Sequence, residues 1–230
     1  MALVELRDVH KTYFMKGVSI GALQGLSVEF NEGEFVAIMG PSGSGKSTLL
    51  SILGCLDRPT SGQYVLGGQD VSTASDDRLS EIRNREIGFI FQSYNLIQQL
   101  NLAENVEVPL FYRGISHRER RRKSMEAIGR VGLADRMSHL PSELSGGQSQ
   151  RAAIARALVN DPLILLADEP TGNLDSKTGQ EIMDVFSELH RAGRTILMVT
   201  HDEKLAARGQ RIVRLMDGVV VDDGARREQA

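Results

Sequence analysis

Residues 40–48 read Gly40-Pro41-Ser42-Gly43-Ser44-Gly45-Lys46-Ser47-Thr48, and the organisation of the chain follows from them. An apolar run, Phe35-Val36-Ala37-Ile38-Met39, comes directly before and predicts a buried strand. Apolar residues at helical spacing follow between Leu49 and Leu56. A strand, a glycine-rich turn and a helix in this order form the context that a phosphate-binding loop requires. The alternative is a glycine-rich turn with only a structural role.

Each residue type in this loop suits a phosphate ligand. Glycines let the backbone turn tightly and bring N–H groups close to phosphate oxygens, and the following helix adds its unpaired N–H groups. Lys46 is expected to reach the β- and γ-phosphates, Ser47 to bind Mg²⁺, and Thr48 to donate to the α-phosphate. The predicted phosphate-binding residues are Gly40, Ser42, Gly43, Ser44, Gly45, Lys46, Ser47 and Thr48.

Size and composition limit the possible classes of protein. A chain of 230 residues fits one α/β domain, with an inserted lobe, and 41% hydrophobic residues support a folded interior. The net charge is −3, from 27 basic and 30 acidic residues, so no overall positive field favours nucleic acid. The one cysteine, Cys55, is expected to be buried, and a lone thiol cannot form an internal disulfide.

The sequence contains no pattern typical of a membrane segment or a secretion signal. Residues 1–11 are charged and strand-like, without the apolar core of a signal peptide. No apolar run approaches the roughly 20 residues that span a bilayer. We therefore expect a cytoplasmic protein that attaches to a membrane only through a partner.

Short strands are predicted at residues 2–9, 26–30 and 64–66, and Tyr13 follows the first of them. An aromatic ring ahead of the phosphate loop could stack on a nucleotide base, without reading its hydrogen-bonding pattern. Simple packing of Tyr13 at a strand end is the preferred interpretation from these residues alone.

A buried strand at residues 87–91 ends at Gln92. A side-chain amide at the carboxyl end of such a strand lies on the edge of an α/β sheet where ligands bind. Gln92 could therefore contact a metal ion or a water molecule, although a surface glutamine explains the pattern more simply.

From residue 93 to about residue 141 the pattern changes to helices and loops, which predicts an inserted helical lobe. Apolar residues from Leu102 to Leu110 share a helical face, and Pro109 is expected to end or bend that helix early. A basic run between residues 113 and 123 could face anionic headgroups or a nucleic acid, but a solvated helix face is preferred.

The stretch Leu144-Ser145-Gly146-Gly147-Gln148 opens a helix rich in small residues. A serine and two glycines at a helix start form a second candidate anion site in a chain that already has a phosphate loop. The two elements could bind one nucleotide, or each could complete a site on another copy of the chain. A helix cap without any ligand is the remaining alternative.

Residues 163–168 are a continuous apolar run that ends at Asp168, as expected for a parallel strand covered on both faces. Asp168 is the expected partner of Mg²⁺, and Glu169 could orient and polarise an attacking water. Two acidic residues that merely cap a strand would give the same pattern. With a phosphate loop upstream, the catalytic interpretation is favoured.

Two further polar positions follow later predicted elements. Asp175 or Ser176 is expected to cap a helix. The buried strand at residues 195–199 ends before His201, which would lie on the same sheet edge as Gln92 and is favoured for sensing the γ-phosphate. A final hairpin is predicted at residues 212–215 and 219–221, followed by a short polar tail.

Together these motifs resemble those of ABC transporter ATP-binding subunits, over almost the whole chain and in the family's order. Residues 40–48 resemble the Walker A loop, residues 164–168 the Walker B strand, and residues 144–148 the signature motif, which other P-loop ATPases lack. Ser149 departs from the glutamine that many members carry after the signature. Residues 54–57, together with 94–106 and 170–175, carry a narrower likeness to the group of LolD, MacB and FtsE.

The resemblance also implies roles for single residues. These are Tyr13 as the adenine-stacking residue, Gln92 as the Q-loop residue at the metal, Asp175 in the D-loop, Glu169 as the catalytic glutamate and His201 as the switch histidine. It implies Mg²⁺ held by Ser47, Gln92 and Asp168.

The implied fold is an α/β P-loop NTPase core with a mostly parallel sheet, an antiparallel β subdomain and an inserted helical subdomain. One domain would cover residues 1–230, with residues 1–92 and 160–230 in the core and β subdomain, and residues 93–159 in the helical subdomain.

The implied activity is hydrolysis of ATP to ADP and phosphate. Two copies would pack head to tail, each ATP lying between one phosphate loop and the partner copy's Ser145, Gly146, Gly147 and Gln148. An integral membrane permease would dock on the helical subdomain near the Q-loop, on the cytoplasmic face of the inner (plasma) membrane.

Three functions are compatible with this resemblance. Export or lipoprotein release, as for MacB and LolD, is favoured. Regulation of a membrane complex without transport, as for FtsE, is the alternative. A soluble ABC ATPase on DNA or ribosomes is disfavoured, because such proteins usually carry a coiled coil, metal-binding cysteines or two ATPase halves. No nucleic-acid partner is expected.

Overall fold

The computed structural model describes residues 2–15 and 17–225. Within these residues the chain forms two β-sheets and a set of helices packed against them. The strands are β1 (Ala2–Met15), β2 (Val18–Asn31), β3 (Phe35–Met39), β4 (Ser61–Leu66), β5 (Gln69–Asp70), β6 (Ile87–Phe91), β7 (Ile164–Asp168), β8 (Thr195–Val199), β9 (Arg211–Met216) and β10 (Val219–Ala225). The helices are α1 (Lys46–Leu53), α2 (Asp76–Glu86), α3 (Leu102–Tyr112), α4 (His117–Arg130), α5 (Gly146–Leu158), α6 (Ser176–Arg191) and α7 (Glu203–Ala206), with 3-10 turns at Ala134–Arg136 and Pro141–Glu143.

The larger sheet has the strand order β10-β9-β3-β8-β7-β6 in the described part of the chain. Its neighbours pair in parallel, except for the antiparallel pair β9–β10. Every residue of β3 and of β8 is buried, because helices or the second sheet cover both faces. The prediction of an α/β fold with a mostly parallel sheet is confirmed.

Alternate side chains of this sheet enter two separate hydrophobic cores. Val36 and Ile38 of β3 join a cluster that includes α1 and the second sheet. Phe35, Ala37 and Met39 join a cluster built with the helices on the opposite face. Because successive side chains of a strand point to opposite faces of the sheet, the one apolar run of β3 contributes to two cores.

The second sheet is antiparallel, with the order β2-β1-β4-β5. Its first two strands have 14 residues each and are much longer than the predicted strands at 2–9 and 26–30. The pairing continues as far as Met15 opposite Val18, with a bulge at Gly25. The outer end of the β1–β2 hairpin buries few side chains, so its residues show no apolar pattern that would predict a strand. Backbone hydrogen bonds between β1 and β2 continue there.

Helices α3, α4 and α5 follow one another between β6 and β7 and pack together. Of the two effects predicted for Pro109, the early end of the helix is wrong, because the helix continues to Tyr112. Leu110 is fully buried, and the Pro109 carbonyl accepts from Arg113 N and from Asn84 Nδ2. Packing and these bonds offset the one helical hydrogen bond that proline removes.

The C-terminal hairpin has the predicted turn at Asp217 and Gly218, both with positive φ, although β9 and β10 exceed the predicted bounds. The predicted polar tail at residues 226–230 lies outside the described residues. None of the helices at residues 2–15 and 17–225 has the length and apolar character needed to cross a bilayer.

Candidate functional site

The phosphate loop connects β3 to α1 in a backbone conformation that requires glycine. Gly40 has a φ of 156°, and a Cβ there would lie 2.3 Å from the Leu215 carbonyl oxygen. Gly45 has a φ of 100°, and a Cβ there would lie 2.6 Å from the Ala22 carbonyl oxygen. Both distances are shorter than any tolerated contact, so larger residues would distort the loop.

Helix α1 begins at Lys46 with the electrostatic character of an anion site. No side chain caps its N-terminus, and its first turn contains no acidic residue. Lys46 Nζ donates to the carbonyl oxygens of Gly40 and Pro41, at 2.8 Å each, so the ammonium group lies at the loop. The buried Ser44 hydroxyl has no hydrogen-bond partner among the residues that the structure describes. These donors fit a polyphosphate.

A cavity of about 500 Å³ opens beside this loop. Its lining combines most of the loop with residues at or just beyond the ends of β7 and β8, including Asp168, Glu169 and His201. The structure thus brings most of the predicted phosphate-binding residues next to Asp168, Glu169 and His201, because parallel strands present their carboxyl ends at one edge.

The two carboxylates in this cavity have different surroundings. Burial and the neighbouring charge of Glu169 raise the pKa of Asp168, and Lys46 partly opposes that shift. Glu169 has a φ of 43°, which is uncommon for a residue other than glycine. Its N–H donates to the Val199 carbonyl at 3.0 Å, and its Oε1 lies 3.0 Å from His201 Nδ1. Glu169 is therefore held on both its backbone and its side chain.

Of the predicted metal ligands, Ser47 and Asp168 line the cavity and Gln92 does not. The described residues contain no cluster of three or more His, Cys, Asp or Glu side chains suited to a metal ion. Mg²⁺ in nucleotide sites uses one or two carboxylates, with phosphate oxygens and water completing the shell. One carboxylate and one hydroxyl beside a phosphate loop fit that donor set.

The side chain of Gln92 is bound to the loop that follows Glu169. Its Nε2 donates to Asn173 Oδ1 at 3.2 Å, and Asn173 Nδ2 donates back to the Gln92 carbonyl at 3.0 Å. A Cβ on Gly172 would lie 2.6 Å from Gln92 Nε2. The sequence reasoning missed Asn173, whose partner is 81 residues away in the chain.

Tyr13 lies within β1 and is not among the residues that line the cavity. Its hydroxyl donates to Asp57 Oδ2 at 2.9 Å, and Asp57 was absent from the predicted site. Burial and that carboxylate raise the pKa of Tyr13, whereas a hydrogen bond with Thr48 lowers it. Tyr13 is therefore bonded to the segment that follows the phosphate-loop helix rather than packing alone at a strand end.

The signature residues form the N-terminus of α5, away from the phosphate-loop cavity. Ser145 Oγ accepts from Gln148 N at 3.3 Å, and Gln148 Oε1 accepts from Ser145 N at 2.9 Å. A Cβ on Gly146 would lie 2.9 Å from the Tyr94 hydroxyl, and one on Gly147 would lie 2.4 Å from Thr178 Cγ2. None of these residues lines the cavity beside Lys46.

Asp175 caps α6 and lies close to the signature turn. Hydrogen bonds from the Thr178 hydroxyl, then from backbone N–H groups of Thr178 and Lys177, lower its pKa. Thr178 contacts both Asp175 and the position of Gly147, so the D-loop and signature elements are neighbours. Asp175 does not line the phosphate-loop cavity either.

The sequence reasoning also missed a connection between the segment after Gln92 and α5. Arg156 donates to the carbonyl oxygens of Tyr94 and Asn95, at 2.8 and 2.5 Å. Both acceptors have positive φ, 61° and 49°. The guanidinium group thereby holds a turn that joins the Q-loop to the helix of the signature motif. In the sequence, only Asn95 indicated this turn, because asparagine tolerates the left-handed backbone conformation.

A groove of about 710 Å³ lies between α2, β6, α3 and α5. Its lining includes Phe91, Tyr112, and the cationic residues Arg85, Arg113 and Arg156. The exposed rings of Phe111 and Tyr112 stand in edge contact at its rim, with centroids 5.9 Å apart. This groove is larger than the phosphate-loop cavity and contains none of the predicted catalytic residues.

Comparison with known proteins gives consistent matches. The family described as ABC transporter matches residues 23–172. An uncharacterized ABC transporter ATP-binding protein of Thermotoga maritima is 56% identical over 216 residues, covering 94% of this chain and 92% of the relative. The macrolide export ATP-binding/permease protein MacB of Hyphomonas neptunium is 48% identical over 228 residues, covering 99% of this chain. The chain spans only 35% of that MacB protein.

Solved structures agree with the sequence relatives. The ATP-binding cassette MJ0796, described as a dimer in a post-hydrolysis state bound to ADP and Pi, superimposes with a TM-score of 0.89. It is 47% identical in sequence, and the match covers 97% of this chain and 99% of the cassette. A second dimeric structure of MJ0796 also matches with a TM-score of 0.89, at 48% identity.

Proposed function

Because this chain belongs to the ABC transporter family, we propose that it is the ATP-hydrolysing subunit of an export or lipoprotein-release system. The chain binds ATP and hydrolyses it to ADP and phosphate, as ATPases of this family do. The proposed partners are a second copy of the chain and an integral membrane permease. In this proposal the permease moves the cargo across the membrane. The ATPase drives the permease by a conformational change that depends on the bound nucleotide.

One observation carries the dimer proposal: the two anion-binding elements of the chain do not share a cavity. The phosphate loop and His201 line one cavity, and no residue of the Ser145 turn is among its lining residues. A helix N-terminus with two glycines and a serine suits a phosphate group, but among the described residues this turn and the phosphate loop do not line the same cavity. A second copy, packed head to tail, supplies the missing ligand to each turn.

In this arrangement ATP lies between Lys46 of one copy and the partner copy's signature turn. Contacts with the γ-phosphate exist only in the closed dimer, so ATP binding shifts the population towards closure. Hydrolysis removes the bridge between the copies, and the two halves separate. MJ0796 is a relative whose structures are described as dimeric, which supports this proposal.

The cavity residues divide the chemical step among them. Lys46 leaves the Gly40 and Pro41 carbonyls to bind the β- and γ-phosphates. Glu169 orients a water molecule and accepts its proton as the water oxygen bonds to the γ-phosphorus. The bond between that phosphorus and the β–γ bridging oxygen breaks, and ADP leaves. His201, next to Glu169, holds the γ-phosphate.

Ser47 and Asp168 would hold Mg²⁺, joined by Gln92 once its amide leaves Asn173. When bound, the ion neutralises charge on the phosphate oxygens. Asp168 is placed for this role at the end of β7, and its carboxylate is half-buried. The Asn173 bond instead holds the Gln92 amide at the loop that follows Glu169.

The groove beside the Q-loop is the proposed docking site for the permease. Its cationic lining favours a cytoplasmic segment of the permease that carries acidic residues and one apolar or aromatic side chain. Arg156 lies in this groove and also holds the turn after Gln92. Movement of the docked segment would therefore reach the nucleotide site, and docking keeps the ATPase on the cytoplasmic membrane face.

The test uses Glu169→Gln, which keeps the shape of the side chain but removes its ability to accept a proton. We expect ATP binding, almost no hydrolysis, and an ATP-dependent dimer in light scattering. The matched control is Glu32→Gln, at an exposed turn between β2 and β3, which should hydrolyse ATP normally. Ordinary turnover by Glu169→Gln would remove Glu169 from the mechanism. A strictly monomeric ATP-bound variant, even with its permease present, would overturn the dimer.

A further inference from the structure

The side chains of Tyr13, Lys11 and Asp57 form a closed network of contacts. Tyr13 Oη donates to Asp57 Oδ2 at 2.9 Å, and Lys11 Nζ donates to Asp57 Oδ1 at 2.5 Å. Lys11 Nζ also lies 4.9 Å from the centroid of the Tyr13 ring, within cation–π distance. Lys11 and Tyr13 are two residues apart in β1, so both point to the same side of the strand. The ring is thus held at its hydroxyl and against its face.

Asp57 is itself fixed in place by the end of the phosphate-loop helix. After α1, Cys55 adopts a left-handed conformation with a φ of 52°. The N–H groups of Leu56 and Asp57 then both donate to the Ser51 carbonyl. Arg58 N donates to Asp57 Oδ1 at 2.7 Å, so this carboxylate accepts bonds from three different residues. A rigid acceptor of this kind can fix the direction of the tyrosine hydroxyl.

The same network reaches the phosphate loop. Thr48, in the first turn of α1, lines the cavity beside Lys46, and its proximity lowers the pKa of Tyr13. Tyr13 therefore lies near Thr48 at the start of α1 and is hydrogen-bonded to Asp57, which follows the end of that helix. Tyr13 is only partly buried, so part of its ring remains open to a ligand. Its position relative to the phosphates is set by α1 rather than by β1 alone.

We propose that Asp57 is a positioning residue for nucleotide binding, which together with Lys11 orients the Tyr13 ring against the base of ATP. This proposal rests on the ATP-binding function above and adds that the tyrosine hydroxyl matters as well as its ring. A ring that is free to rotate loses part of its stacking contact, because orientation must then be fixed at the moment of binding. Asp57 would not touch the nucleotide.

The test compares two ligands that differ in the presence of a base. Binding of ATP with Mg²⁺ and of inorganic tripolyphosphate with Mg²⁺ is measured by calorimetry for the natural chain, Tyr13→Phe, Asp57→Ala, Asp57→Asn and Tyr13→Phe/Asp57→Ala. Tyr13→Phe keeps the ring and removes only the hydroxyl. The matched control is Asp76→Ala, which removes an exposed carboxylate that pairs with Arg58 and does not touch Tyr13.

We expect Tyr13→Phe and Asp57→Ala each to weaken ATP binding about three- to tenfold, the range of one lost hydrogen bond at the site. The double variant should lose no more ATP affinity than the single variant with the larger loss, since both substitutions remove the same contact. Asp57→Asn keeps an acceptor oxygen and should lose less. Tripolyphosphate affinity should stay within about twofold throughout, and turnover at saturating ATP should be unchanged while KM rises.

Several outcomes would overturn the proposal. Tyr13→Phe with unchanged ATP affinity would exclude any role for the hydroxyl. Equal weakening of ATP and tripolyphosphate by Asp57→Ala would mean that Asp57 acts on the phosphate loop instead. Additive losses in the double variant would show that the two residues act independently. Failure of the natural chain to bind ATP would overturn the proposed function as well. Normal ATP binding by the natural chain with any of the outcomes above would overturn only the role of Asp57.

Discussion

His201 Nδ1 lies 3.0 Å from Glu169 Oε1, across the ends of two neighbouring strands. Asp168 at the end of β7 is paired with Val199 at the end of β8, so the residues just beyond them meet. The His201 side chain is 73% exposed and that of Glu169 is 26% exposed. The histidine can therefore turn towards a ligand without disturbing the core, while Glu169 stays fixed by its backbone bond to Val199.

The first prediction concerns His201→Ala. Because His201 is assigned a contact with the γ-phosphate during hydrolysis, we expect turnover to fall by about 10²-fold, as for loss of one transition-state donor. ATP affinity should change by less than about threefold, and the thermal midpoint should stay constant because the side chain is exposed. Phosphate release and calorimetry measure these quantities, with the exposed His117→Ala as control. Normal turnover by His201→Ala would contradict the assignment.

The second prediction concerns Lys46→Ala. The ammonium group is the one side-chain cation that lines the phosphate-loop cavity within the described residues. Its removal should weaken ATP binding at least about tenfold, because a charge-assisted contact to phosphate is lost. Lys204→Ala, at an exposed position in α7, should bind ATP normally. Titration calorimetry decides the matter, and unchanged affinity in Lys46→Ala would remove this lysine from the site.

The third prediction separates helix capping from nucleotide binding at Ser145. Ser145 and Ser75 cap α5 and α2 with the same geometry, each accepting a backbone N–H at 3.3 Å. Replacing either by alanine should cost about 1 kcal/mol of stability, measured by urea unfolding. Only Ser145→Ala should also lose the ATP-dependent dimer seen in the Glu169→Gln background.

If Ser145→Ala and Ser75→Ala dimerised equally well, the signature serine would be a cap and nothing more. If both failed to dimerise, loss of stability rather than a missing ligand would explain the defect. Light scattering at a temperature well below both unfolding midpoints distinguishes these results.

The fourth prediction concerns Cys55, which is 2% exposed. Burial favours the neutral thiol and raises the pKa of Cys55 to about 11. At pH 8 only about one thiol in a thousand is then ionised, against roughly one in four for an ordinary cysteine. A thiol reagent should thus label the folded protein at least about 100-fold more slowly than the unfolded chain. Equal labelling rates for the folded and the unfolded chain would contradict the burial of Cys55. The Cys55→Ser variant, which has no thiol, measures the background reaction of the reagent.

Local sequence patterns predicted those parts of the site that depend on adjacent residues. The glycines and Lys46 of the loop, and the acidic pair after β7, follow directly on apolar runs that can only be buried strands. Parallel pairing then brings these strand ends to one edge, so Glu169 and His201 could be expected to meet. The predicted division into subdomains at residues 92 and 160 stays a prediction.

Other features depend on contacts between distant segments. Asn173 is 81 residues from Gln92, and Asp57 is 44 residues from Tyr13, so no local period relates them. The Pro109 carbonyl of α3 accepts a hydrogen bond from Asn84, which belongs to α2 and is 25 residues away. In each case a polar group is satisfied by whichever segment packs beside it, and that neighbour is known only after the chain has folded.

By itself, the sequence determined that this protein has a phosphate loop, a mostly parallel sheet and a carboxylate pair at the strand ends. The physical reason is that glycine-dependent turns and buried strands are specified by residues that adjoin in the chain. Only the tertiary structure decided that the Ser145 turn does not line the Lys46 cavity and that Tyr13 is held by Asp57. Those relationships depend on how whole elements pack, since the direction in which a helix end points is fixed by its neighbours rather than by its own residues.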